Sequence, residues 1–151
     1  VRAWSGNELQ RIVSTPKLHF LDSGLLASTM GLSTAGLGAN RAPLGPALES
    51  FVLSEIVKAI PLSHAQPRIL HYRDKDQVEV DFILEDAKRR LVGVEIKAAS
   101  TVVNDDFRGL RKLAGYVGTR LQLGIVLYDG PRILPFGPRL YAAPLSVLWA
   151  S

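Results

Sequence analysis

Between positions 78 and 98 the chain reads "VEVDFILEDAKRRLVGVEIKA": apolar and charged residues alternate, turn over in a basic knot, and alternate again. A period of two marks a half-buried strand, so the stretch predicts an antiparallel hairpin with its loop at 86–90. Val78, Val80, Phe82 and Leu84 then share one face, and Glu79, Asp81 and Ile83 the other. On the return strand Val92, Val94, Ile96 and Ala98 lie together, with Leu91, Glu95 and Lys97 opposite. The register that keeps the apolar face in agreement sets Phe82 across from Val94, Val80 from Ile96, Asp81 from Glu95 and Glu79 from Lys97.

Elsewhere the period lengthens to that of a helix. "PALESFVLSEIVKAI" (46–60) predicts a helix opened by Pro46 and stopped by Pro61. Leu48, Val52, Leu53, Ile56, Val57, Ala59 and Ile60 spread over a wide apolar arc, with Ser50, Ser54 and Lys58 as the polar strip. Glu49 falls inside the arc, and Glu55 at its edge beside Phe51. "NDDFRGLRKLAGYV" (104–117) predicts a second helix, capped by Asn104, with Asp105 and Asp106 in the first turn. "RILHYR" (68–73) reads as a strand, and "LQLGIVLY" (121–128) as one buried on both faces. "RILPF" and "RLYAA" read as short strands before a brief helix beginning near Pro144.

Ahead of these lie "LQRIV" and "KLHFLDSGLLASTM", where Asp22 or Ser23 could cap a short helix. "GLSTAGLGANRAPLGP" (31–46) reads as a loop or hinge; no Gly-Lys-Ser/Thr follows its glycines, so it is not a P-loop. The order helix, three strands, helix, strand is that of an α/β domain.

Composition narrows the chemistry. A chain of 151 residues can form one domain with a real core. It has no cysteine, which excludes disulfides, thiolate zinc sites and cysteine nucleophiles and suits a reducing cytoplasm. No apolar run approaches the ~18 residues of a membrane span. The net charge of +4 is compatible with a nucleic-acid partner without requiring one. His19, His64 and His71 lack ligand spacing, Ser23, Ser50 and Ser54 lack a triad context, and Trp4 and Trp149 read as packing residues.

What remains is the charged face of the hairpin. Asp81 opposite Glu95 is a repulsive pair, tolerable if water screens it, a proton neutralises one acid, or a divalent cation binds both. If the first helix covers this face, Glu49 joins them, and Mg²⁺ or Mn²⁺ held by oxygens is the cheapest arrangement. Asp81, Glu95 and Glu49 would be the metal ligands, and Lys97 would steady an attacking water or the developing charge. Glu79 and Tyr72 would stand behind them. Arg73, Arg108, Arg111 and Lys112 could touch phosphates, and "KRR" (88–90) could either solubilise the hairpin tip or grip a backbone.

At these residues the chain resembles the PD-(D/E)XK nuclease superfamily. "VD" at 80–81 stands where that family often has "PD", "EIK" at 95–97 matches its second half, and Glu49 matches an acid contributed by the first helix. The resemblance implies a restriction-endonuclease-like core of helix, three-strand meander, helix and strand, with a mixed sheet and Mg²⁺- or Mn²⁺-dependent cleavage or gripping of DNA. "TPKLHFLDSGLLA", "LESFVLSEIVK", "HYRDKDQVEVDFIL", "VEIKAA" and "DFRGLRKLA" together are similar to the C-terminal domain of prokaryotic AAA-type ATPases. That similarity implies a nuclease-like domain over 46–151, preceded at 1–45 by a helical and loop segment left from the junction to an absent ATPase module. The alternative reading is a catalytically inert module that docks the ATPase or another protein partner.

Overall fold

The computed structural model describes residues 1–5, 15–33, 35, 36 and 43–149. The expected segment "LQRIV" and positions 34 and 37–42 of the Gly-rich loop lie outside the described residues. Within them, period-two segments become strands β1 (Arg2–Ala3), β2 (Arg68–Arg73), β3 (Glu79–Glu85), β4 (Leu91–Lys97), β5 (Leu121–Tyr128), β6 (Leu134–Gly137) and β7 (Leu140–Pro144). The helices are α1 (Ser23–Thr29), α2 (Leu44–Ala59) and α3 (Arg108–Val117). One mixed sheet runs β1-β2-β3-β4-β5-β7-β6. The meander β2-β3-β4 is antiparallel, and β5 lies parallel to β4 because α3 carries the chain back across the sheet.

The two long helices cover opposite faces. α2 packs Val52, Leu53 and Ile56 on Phe82, Val94, Leu127 and Ala143. Leu110 and Leu113 of α3, with Phe107 just ahead of it, lie over Val80, Ile83, Leu91 and Val126. Close approach of α3 depends on small residues: a Cβ on Gly109 would collide with the Glu79 carbonyl, and Gly93 leaves room for Leu110. The cap of this element differs from expectation. Asp106, not Asn104, closes it by accepting the Val103 N–H at 2.8 Å, and the first turn is a 3₁₀ turn over Asn104–Phe107. α2 likewise departs from expectation: it starts at Leu44 rather than Pro46, Ser50 is buried, and Val57 and Ala59 are exposed. The first helix is capped as expected, Asp22 accepting from the Leu25 N–H at 2.8 Å.

The hairpin register holds at Phe82–Val94, Ile83–Gly93, Leu84–Val92 and Glu85–Leu91. Recorded pairing stops there, so the further pairs Val80–Ile96, Asp81–Glu95 and Glu79–Lys97 are absent from the ladder. Face parity fails at the same point. Between Leu70–Ile83 and Tyr72–Val80, β3 spends three residues where β2 spends two, which is a β-bulge. Val80 therefore joins Ile83 under α3, while Phe82 packs under α2. Asp81, inside the bulge, turns toward α2 and its Glu49.

Candidate functional site

Where β3 and β4 part, Asp81 is buried and its Oδ2 accepts the Ile96 N–H at 2.9 Å. Its other oxygen meets a residue that sequence reading passed over: Lys17. The Lys17 ammonium lies 3.1 Å from Asp81 Oδ1, 2.7 Å from Glu49 Oε2 and 3.9 Å from Glu79 Oε2. Burial alone would lower the Lys17 pKa, but Glu49 and Asp81 outweigh it and hold the ammonium above its ordinary value. Glu49 is also raised, first by burial and then by the Asp81 charge. Both partners move the same way for different reasons: the carboxylates raise Lys17, and burial followed by the Asp81 charge raises Glu49.

Glu95 shares no ion pair with Lys17 among the described contacts, although it feels the charges of Asp81, Lys17 and Glu49. It shares the parity of Gly93, toward α3, and lines a cavity of about 320 Å³ with Lys97, Asp106, Arg108 and Gly109. Its Oε2 is buried without a hydrogen-bond partner. Burial first, and then the Asp81 charge, push its carboxyl up to about 9, although the Asp81 backbone N–H and Lys17 oppose the rise. At neutral pH Glu95 therefore carries a proton. Lys97 does not pair with Glu79, as the expected register required; its ammonium donates to Asp106, the acid that closes the turn before α3. Glu79 instead pairs with Arg73 Nε at 3.0 Å.

The remaining expected residues are held in local contacts. Tyr72 reaches Asp74 at 3.5 Å and packs against Trp4, away from the acids. Arg111 donates to the Asn104 and Phe136 carbonyls at 2.6 and 3.1 Å. Lys112 bridges Asp74 and Asp76 at 2.5 and 2.6 Å. Two histidines without sequence spacing do approach the cluster. His19 packs against Phe82 and is pushed down to about 4, by burial and then by Lys17. His71 lies 3.3 Å from the Thr15 carbonyl and is also lowered by burial.

A divalent cation needs several oxygen donors turned to one point. Among the described residues no three His, Cys, Asp or Glu side chains are so disposed. Glu49 and Asp81 already share an ammonium, and Glu95 lines the cavity in which Lys97 is paired with Asp106. As arranged, these residues do not fit the ion.

A family profile described as a domain of unknown function, DUF4143, matches residues 44–148, from the start of α2 to the last 3₁₀ turn. The chain belongs to the DUF4143 family. Two curated relatives, the uncharacterised proteins Rv2008c of Mycobacterium tuberculosis and Mb2031c of Mycobacterium bovis, are each 28% identical over 142 residues. The match takes in 93% of this chain, which spans only 30% of the length of either relative. No solved structure matches the chain. Lys17, Asp81, Glu95 and Lys97 thus belong to a DUF4143 chain whose relatives are much longer. No helix among the described residues is long and apolar enough to cross a membrane.

Proposed function

We propose that this DUF4143 domain is a restriction-endonuclease-like module that works by binding rather than by cutting. The order of α2, the β2-β3-β4 meander, α3 and β5 supports the fold assignment. One observation carries the functional reading: the Lys17 ammonium takes up the acids that a catalytic cation would need. The turn of Lys97 to Asp106 agrees with it, because that lysine is then tied to a structural acid.

The docking side of this reading rests on the N-terminal segment. Leu18, Phe20, Leu21, Leu25 and Met30 are all exposed, and α1 buries none of its residues. Exposed apolar side chains gathered along one short segment mark an interaction surface. The additional length of the longer relatives, an ATPase module among the candidates, or a separate protein partner would supply the covering surface.

A second reading, the Mg²⁺- or Mn²⁺-dependent nuclease, is favoured by the unpartnered Glu95 oxygen next to the strand that carries Asp81. It requires Lys17 to leave its carboxylates. Plasmid nicking in Mg²⁺ and in Mn²⁺ separates the two readings. The binding module leaves supercoiled DNA intact; nicking by wild type that Lys97→Ala abolishes would establish the enzyme instead.

A further inference from the structure

At the end of the sheet away from the acids, positive charge collects. Arg68 opens β2, Lys88, Arg89 and Arg90 form the β3–β4 loop, Arg120 precedes β5, and Arg139 precedes β7. Contacts join these loops: Arg120 Nε donates to the Arg89 carbonyl at 3.0 Å, and Arg139 to the Leu121 carbonyl at 2.9 Å. Among the described residues, the carboxylates between them are Glu85 and Asp86. Six cations of the described residues thus stand there against two anions. The described residues at this pole are predominantly basic.

The pole is built rather than merely solvated. Glu85, whose side chain is fully buried, receives Arg68, Arg89 and Arg120 at 3.2, 3.4 and 3.3 Å. One guanidinium would neutralise that acid, so gathering three brings like charges together at a cost. Each guanidinium carries five N–H donors, and Arg68 gives one of its own to Glu85. The side chains stay open to solvent, Arg68 at 60% and Arg90 at 55%. Five of the six cations are arginine, whose planar fork matches phosphate oxygens in pairs. Holding three forks in place beforehand reduces the ordering cost of binding a polyanion.

We infer that this arginine pole is a docking surface for the phosphate backbone of a nucleic acid. Its contacts are with phosphates, so binding is independent of base sequence. The inference goes beyond the reading of the acids and does not depend on it. Glu85 lies four residue steps along β3 from Asp81, about 13 Å at the usual rise, so a duplex on the pole is gripped and not presented to the acids.

Fluorescence anisotropy of a short labelled duplex DNA, in EDTA and at low salt, tests it. Wild type is expected to bind with an affinity that falls linearly on a log–log salt plot. Arg68→Gln/Lys88→Gln/Arg90→Gln, which leaves Arg89 and Arg120 on Glu85, should weaken binding at least ~tenfold and flatten the slope by about 2–3. The single exposed change Lys88→Glu should move affinity the same way with an unchanged melting temperature, so that loss of fold is not the cause. Arg108→Gln/Lys112→Gln, on α3, should stay within about twofold of wild type. Absence of wild-type binding, equal loss in the α3 variant, or equally tight binding of a polyglutamate peptide would overturn the inference. Because EDTA removes divalent ions, none of these results bears on whether the acids can hold a metal.

Discussion

Lys17 and Glu95 show how differently two charges can be kept in the same neighbourhood. Lys17 is held by carboxylates on three sides, and truncating it would leave Asp81 and Glu49 facing one another with little water. Lys17→Ala is therefore expected to cost about 1–3 kcal/mol in urea unfolding, discounted from a fully buried pair because the lysine is partly exposed. A double-mutant cycle with Glu49→Gln should recover part of that loss, since the two share one interaction. Glu95 has no such partner and keeps a proton instead. Its folded pKa lies above the ordinary value of 4.5, at about 9. Its contribution to stability is thus complete below the unfolded value and disappears as pH rises through the folded one. Glu95→Gln should consequently gain on wild type as pH rises from about 5 toward about 9. A difference that stays flat across that range in paired denaturation curves would contradict the buried, protonated assignment.

Elements were legible in the sequence to the extent that their signals are local. "RILHYR" and "LQLGIVLY" become β2 and β5 at the expected boundaries, because apolar content and flanking turns specify a strand within a few residues. The Phe82–Val94 register was also legible, since a slip of one residue would turn the apolar face to water. The bulge was not. Nothing in "VEVDF" distinguishes a regular strand from one with an inserted residue, and the insertion alone turns Asp81 toward α2. The approach of α3 to β3 is another tertiary fact behind an ordinary residue, Gly109. Gly109→Ala would drive a methyl group into the Glu79 carbonyl and is expected to cost roughly 2–4 kcal/mol, although alanine is the better helix former. Thermal unfolding checks this: a stabilised variant would mean that α3 does not sit so close to the strand.

Across the whole molecule the two ends of the sheet have opposite character. Acids with an internal ammonium and a protonated glutamate occupy one end, and a surplus of arginines the other. Composition showed only the sum, a modest +4 that does not reveal its own distribution. The candidate acids Asp81, Glu95 and Glu49 were identified from local pattern, but Lys17 lies 64 positions from Asp81 and only the assembled fold brings them together. Isothermal titration of Mn²⁺ into the wild-type chain tests the central claim most directly. If Lys17 and a proton already balance these acids, no saturable site appears at millimolar metal; a site that binds Mn²⁺ and is lost in Asp81→Ala would contradict the account.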